Sequence, residues 1–305
     1  MMMESVQNDD FSSMLNFIKI NKLIWEKTPS MVCIYYPFED SDMIAPLVTF
    51  LENLGLKITF DDFTNANFII VVGTNNTNLA LSLIVQEQNT KPILSLSIKK
   101  KGFISNINFS DYKEVIPRVM SGDCWILPRS RLQVKYYGLK EVKTYSVLNE
   151  IAINRDPLSN SLLINCKCYD FGFSQIKGDG IIISTSTGST AYNTAAGGPL
   201  IHPLLPAFLL TPICVLSLSA RPILFPSSAV ITISLEPGKK ECKSYIAIDG
   251  NIHIPFVVGE KVEISLSQDF YNSIILDKSF KDWYCCLESV MGWNQRKAQK
   301  PLSKD

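Results

Sequence analysis

Two stretches carry residue types suited to meeting a small ligand through hydroxyls and backbone amides. The longer, residues 178–203, reads GDGIIISTSTGSTAYNTAAGGPLIHP. Ile181, Ile182 and Ile183 suit a short buried strand, and residues 184–190 then offer hydroxyls and N–H groups with almost no side-chain bulk. Small residues there let a ligand come close to the backbone. Asp179, immediately before the strand, is the only formal charge between Lys177 and Arg221. A tight surface turn needs only a few residues, whereas this composition persists through Gly198. The shorter stretch, residues 73–78, reads GTNNTN; it follows the apolar run FIIVV and precedes LALSLIVQ. That places it between a strand C-terminus and a helix N-terminus, where open α/β sheets put phosphate ligands.

The elements that must position these stretches differ along the chain. Residues 31–36, 57–60, 68–72 and 93–96 read as strands, and 43–54 as a helix with Leu47, Phe50, Leu51 and Leu54 on one face, with 79–86 a second helix. The nearly all-apolar 68–72 suits a strand covered on both sides, so a parallel, Rossmann-like sheet is expected. From about Trp125 strand-like alternation takes over, at 131–137, 161–169, 229–235, 244–248 and 261–266, and implies a mostly β, sandwich-like unit. Residues 145–152 suit either a short helix or a strand that presents Asn149 and Glu150 together. Residues 277–293 have a helical apolar set at Phe280, Trp283, Leu287 and Val290. The expected organisation is an N-terminal extension (1–30), a Rossmann-like α/β domain with the phosphate loop (31–120), a mostly β domain (121–276) and a C-terminal segment (277–305) that packs back on the first domain.

Composition narrows the function classes. The 305 residues, 46% hydrophobic, can bury two modest cores. Twenty-nine basic and 29 acidic residues balance, which supplies no chain-wide field for nucleic acid or anionic membrane. The eight cysteines follow no disulfide framework and no zinc spacing, so reduced thiols and no protein-held metal are expected. The first residues lack a basic n-region and an Arg-rich amphipathic pattern, and the apolar run 204–218 is too short to span a bilayer; the expectation is a cytoplasmic protein. That run suits core or a subunit interface. Lys99, Lys100 and Lys101 suit a solvated loop, with phosphate attraction as the alternative. Two histidines and no G-x-S-x-G elbow argue against a hydrolase triad, and without Gly-Lys-Ser or Gly-Lys-Thr a P-loop is excluded.

Residues 179–203, in the pattern D-G-x-x-x-S-T-x-T-G-S-T-A-Y-x-x-x-A-G-G-P-x-x-x-P, resemble the signature of the NAD kinases. Four further segments match in order: VLNEIAI with the Asn149–Glu150 pair, FGFSQIKGDG with Lys177 and Asp179, LTPICVLSLSARPILFP with Ser219, Arg221 and Pro222, and Asp249-Gly250-Asn251, with Asn for the family's Gln. The resemblance implies that Asn149, Glu150, Lys177, Asp179, Thr187, Ser189, Thr190, Ala191, Tyr192 and Asn251 hold NAD, and that Gly73, Asn76 and Thr77 face the phosphates. An amide beside a carboxylate suits a ribose diol, because the pair accepts from and donates to adjacent hydroxyls. Arg221 suits a structural or interface position as well as a ligand contact. The implied activity is phosphorylation of the adenosine ribose 2′-hydroxyl of NAD by ATP with Mg²⁺ or another divalent cation, in a homodimer or homotetramer.

One segment departs from the pattern. Where the family carries Gly-Gly-Asp-Gly-Thr, this chain has Gly73, Thr74, Asn75, Asn76 and Thr77. The family's aspartate is understood as the base at the 2′-hydroxyl, and the amide of Asn75 has no basic lone pair near neutral pH, although it can orient a hydroxyl. Cβ atoms at Thr74 and Asn76 are expected to crowd an approaching phosphate. Ser186, in place of the family's proline, is expected to loosen the central loop. The alternative function is therefore a catalytically impaired protein that binds NAD(H) or NADP(H), a pseudokinase or regulatory subunit.

Overall fold

The structure, a computed structural model, describes residues 19–85, 91–238 and 242–296. Residues 1–18 of the expected N-terminal extension, Gln86 of the expected second helix and residues 297–305 of the expected C-terminal segment lie outside the described residues. The described residues begin with β1 (Asn21–Lys22), β2 (Met31–Tyr35), α1 (Ala45–Asn53), β3 (Lys57–Thr59), β4 (Phe68–Gly73), α2 (Asn75–Ile84), β5 (Ile93–Ser97), β6 (Ile107–Asn108) and α3 (Tyr112–Met120). It continues through β7 (Trp125–Tyr137), β8 (Val142–Val147), β9 (Glu150–Arg155), β10 (Leu162–Cys168), β11 (Phe171–Gly178) and β12 (Gly180–Thr185) to the short helix α4 (Tyr192–Ala195). After it come β13 (Ala207–Ile213), β14 (Ile223–Pro226), β15 (Ile231–Leu235), β16 (Ser244–Ile248), β17 (Ile252–Pro255), β18 (Lys261–Ile275) and α5 (Lys281–Ser289).

The first half is a Rossmann-like α/β unit: β3, β2, β4 and β5 pair in parallel in that order. Every residue of β4 and β5 is buried, as the apolar runs require of strands covered on both faces. In α1, Leu47 and Leu51 are buried four residues apart, and Gly55 ends the helix at φ 79°, with Gly55 N–H bonded to Glu52 and Leu56 N–H to Leu51. That is a Schellman ending, which needs a residue free to take positive φ. Helix α3 escapes the sequence reading because Pro117 sits inside it, although Tyr112, Val115, Ile116 and Val119 line its buried face.

The second half is a β-sandwich. One layer is the antiparallel sheet β14-β13-β12-β9-β16-β17; the other contains β11, β10, β15, β18, β7 and β8. Leu132, Val134, Ile151, Ile153, Ile181, Ile183, Phe208, Ile231, Val262 and Ile264 belong to the core cluster between them. The residues expected as either a helix or a strand, 145–152, are the end of β8 and the start of β9 with a corner at Leu148 and Asn149. The apolar run 204–218 divides: β13 is buried except at its last residue, while Leu216 and Leu218 are 63% and 84% exposed.

The two halves share one sheet. β18 pairs with β7 along its whole length but is interrupted by a bulge between Leu266 and Phe270. Before the bulge β18 serves the sandwich through β15; beyond it, Ser273 pairs in parallel with Ile93 of β5. A bulge bends a strand, and here the bend lets one ribbon run from the sandwich into the α/β sheet.

Candidate functional site

The site is built first around the β8–β9 corner. Asp249 sits in the β16–β17 turn at φ 47°, followed by Gly250 at φ 67°. Its carboxylate accepts three successive backbone N–H groups, from Leu148 (2.8 Å), Asn149 (2.7 Å) and Glu150 (3.1 Å), and so fixes the corner's backbone. Glu150 is 9% exposed and receives a hydrogen bond from the N–H of Tyr192, yet its Oε2 is buried without a partner among the described residues. Burial, then repulsion from Asp249, pushes the Glu150 pKa up to about 8, so this carboxyl holds a proton at neutral pH. Burial raises Asp249 to about 6, with the three N–H groups working against the rise. The Asn149 amide, 7% exposed, makes no side-chain hydrogen bond among the described residues.

The small-residue loop folds against this corner. Thr185 N–H bonds to the Asn149 carbonyl (2.9 Å), and the Thr185 hydroxyl donates to Leu148 O (2.6 Å) and accepts from Gly188 N–H (3.0 Å). A Cβ on Gly188 would overlap the Asn149 carbonyl, so glycine is required by close approach. Ser189 is fully buried; its hydroxyl donates to Ser186 O (2.7 Å) and accepts from Ile201 N–H (2.9 Å), which commits it to the loop. Thr190 Oγ1 donates to Thr187 O (3.2 Å), and Ala191 N–H closes the turn on Gly188 O (2.9 Å). Ser186 corrects one expectation: its hydroxyl donates to Leu205 O (2.6 Å) and tightens the loop. Tyr192, 40% exposed, places its N–H at Glu150 and its hydroxyl 3.4 Å from Asn154 Oδ1, so it lies along β9.

The other expected ligand residues spread outward. Asp179 pairs with Arg155, Nε to Oδ1 at 2.6 Å and Nη2 to Oδ2 at 3.3 Å, beside Asn154. Asn251 is in the turn next to Asp249, with its amide donating to Asp249 O (2.9 Å). Lys177 lies away from the corner, in a groove of about 390 Å³ shared with Arg221, Ser217 and Ser219; no residue of the 185–192 loop lines it.

The 73–77 segment is a capped helix start. Thr74 is the N-cap of α2 at φ −125°, its side chain accepting from the N–H of Thr77 while Thr77 Oγ1 accepts from Thr74 N–H (3.0 Å). This reciprocal capping box is available because both positions carry hydroxyls. Thr74 and Thr77 thus direct their hydroxyls into the helix start, and Asn76 is exposed. Asn75 faces the 102–105 loop: its Oδ1 accepts from Ile104 N–H (3.3 Å) and Ser105 N–H (3.0 Å), and its amide lies where a Cβ on Gly102 would clash. Behind it, Asn78 is fully buried and accepts from Ser95 Oγ (2.5 Å) and Tyr271 Oη (2.7 Å). Trp283 of α5 packs edge-on against Phe103 of the same loop and against His202.

Two groups that the sequence reading passed over stand between these parts, Arg129 and Arg131 of β7, both buried. Their signal in the sequence is a pair of charges at alternate positions of the strand WILPRSRLQVKYY, which places both on one face.

The architecture and sequence have known counterparts. Residues 148–276 match the family model for the ATP-NAD kinase C-terminal domain. A chloroplastic protein of Arabidopsis thaliana named NAD kinase 2 is 31% identical over 83% of this chain, which spans 26% of that relative's length. Among solved structures, yeast NADH kinase complexed with NADH superposes with a TM-score of 0.81 at 21% identity, covering 94% of each chain. An NAD kinase from Archaeoglobus fulgidus in complex with ATP gives 0.70 at 18% identity, covering 86% of this chain and 98% of that one. The two-part fold, the central signature and these likenesses agree: the chain belongs to the NAD kinase family.

Proposed function

We propose that the protein binds NAD along the β9–β12 face and transfers phosphate from ATP to its adenosine ribose 2′-hydroxyl, giving NADP at a reduced rate. The observation that carries the reading is the corner at Asn149 and Glu150, where the amide and a buried carboxyl oxygen have no side-chain partner among the described residues, beside a loop of small residues. An unpaired buried polar atom is costly, and a ribose hydroxyl would satisfy it. Asn149, Glu150, Thr187, Thr190, Ala191, Tyr192 and Asn251 are the proposed dinucleotide residues, Asp179 and Lys177 flanking them, with Gly73, Asn75, Asn76 and Thr77 on the phosphate side. Ser189 supports the loop from within.

Asn75 sets the rate. Its Oδ1 already accepts two N–H groups, so the Nδ2 donor is what it offers a hydroxyl. A hydroxyl oriented but not deprotonated forgoes the roughly 100- to 10,000-fold contribution of a general base. Among the described residues no three His, Cys, Asp or Glu side chains gather to hold a metal ion, so Mg²⁺ would enter as part of the ATP substrate. The proposed assembly is a homodimer or homotetramer in the cytoplasm.

A second reading, favoured by the same Asn75 contacts, is a protein that binds NAD(H) or NADP(H) without turnover. Incubating purified protein with NAD, ATP and magnesium and counting NADP, beside calorimetry with NAD, separates the two. Slow NADP formation with measurable NAD binding supports the kinase; binding with no NADP leaves the second reading, and no binding defeats both.

A further inference from the structure

β7 presents Arg129 and Arg131 on one face, 3% and 2% exposed. Burying two guanidinium groups is unfavourable unless their donors find acceptors. Arg131 donates to the carbonyls of Ser82 and Val85 (the latter at 2.9 Å), at the C-terminus of α2, where aligned carbonyls attract a cation. Arg129 sends its donors to three different elements: Nε to Ser273 Oγ of β18 (2.8 Å), Nη2 to Phe103 O (2.9 Å) and Nη1 to Thr187 Oγ1 (3.4 Å). None of these acceptors is a carboxylate. Burial lowers the Arg129 pKa to about 10, which still leaves it charged at neutral pH.

The Phe103 carbonyl and the Ile104 N–H belong to one peptide group. Arg129 holds its oxygen, and Asn75 Oδ1 holds its hydrogen. A continuous chain of hydrogen bonds therefore runs from Asn75 at the start of α2, through the 103–104 peptide, through Arg129, to Thr187 in the small-residue loop. Linked hydrogen bonds polarise one another, and a planar fork with divergent donors can span acceptors that a lysine cannot reach together. We propose that Arg129 is a positioning residue that ties the loop clamped by Asn75 to the loop containing Thr187, so that the phosphate side and the dinucleotide side of the site take up their spacing together. The ligand in this statement rests on the dinucleotide reading above; the spacing rests on the contacts alone.

Amide hydrogen exchange on the full chain tests it, with NAD calorimetry alongside. In Arg129→Met, exchange should quicken at least tenfold both at Ile104 and Ser105 and at Gly188 and Ala191, with Ile182 in β12 unchanged, and NAD affinity should fall about tenfold. Arg129→Lys, which keeps the charge and one reach, should recover part of both. Thr187→Val leaves Arg129 in place and cuts the chain at its far end. Faster exchange at Ile104 and Ser105 in that variant supports the tie, even where Arg129→Met fails to fold. Wild-type exchange at those two amides in Thr187→Val, or quickening confined to one loop in Arg129→Met, overturns it. A wild-type protein that binds no NAD defeats the dinucleotide reading and leaves the exchange rates to judge Arg129.

Discussion

Residues 186–192 and residues 74–77 both follow a fully buried strand, β12 and β4, and both are rich in small polar residues, yet they hold their shape in different ways. In the first and in the strand residue before it, hydroxyls bond to backbone: Thr185 to Leu148, Ser186 to Leu205, Ser189 to its own loop, Thr190 to Thr187. The backbone is thereby fixed; in the adjoining corner the buried Glu150 Oε2 keeps no partner among the described residues, and Tyr192 is 40% exposed. In the second, Thr74 and Thr77 close a capping box, and Asn75 turns its oxygen toward the neighbouring loop. A rigid frame with spare polar atoms suits recognition of a ligand. A helix start whose side chains bond inward can order a loop but has no base to offer, so under the proposed function binding and chemistry would be separable in this chain.

The contrast is broken most severely at glycine. Gly188→Ala drives a Cβ into the Asn149 carbonyl, a backbone atom, and should cost on the order of 3 kcal/mol and abolish measurable NAD binding. Gly73→Ala brings a Cβ against the Thr77 side chain, 2.6 Å from its Cβ, which rotation does not move, and should break the capping box at a cost on the order of 2 kcal/mol, with NAD affinity kept. Denaturant melts and calorimetry of the two variants compare them directly; equal losses of NAD affinity would remove the distinction between the two segments. Next in size, Asp249→Ala strands three buried N–H groups and should cost about 2 kcal/mol while weakening NAD binding through the displaced corner. An unaltered NAD affinity in that variant would show that the corner is not part of the site.

The smallest effect concerns pH. The folded pKa of Glu150 is raised to about 8, above its unfolded value, so the folded state binds the extra proton in that interval. Its stabilising contribution is complete below the unfolded value near 4.5 and is lost as pH rises through about 8. Thermal melts from pH 6 to 9 should therefore fall in the wild type and flatten in Glu150→Gln, which mimics the protonated carboxyl. An identical slope in both proteins would place the titration elsewhere.

Much of this was legible in residue order. Apolar runs at 68–72 and 93–96 fixed a parallel sheet because strands covered on both sides can carry little else, and alternation after Trp125 marked the sandwich. The contact partners of Gly188 and Asn149 were not legible, since a glycine needed for close approach reads the same as one in a surface turn. The direction of Ser186 misled for a related reason: proline restricts its own φ, and a serine hydroxyl can tie a loop through acceptors nineteen residues away that spacing does not reveal. Arg129 and Arg131 passed unnoticed because charges in a strand ordinarily face water. That face turns inward here because the end of α2, the 102–105 loop and Thr187 cover it, with Ser273 of β18 beside Arg129.

Asn75→Asp tests the separation of binding from chemistry most directly. The substitution is isosteric, keeps an oxygen for Ile104 and Ser105, and adds a basic oxygen where the amide nitrogen stood. Calorimetry should give NAD affinities within twofold for the two proteins, while NADP formed from NAD, ATP and magnesium should rise roughly 100- to 10,000-fold in the variant. An unchanged rate, or a rate that changes only as far as NAD affinity does, would contradict the claim that this loop lost the base while the other kept the ligand.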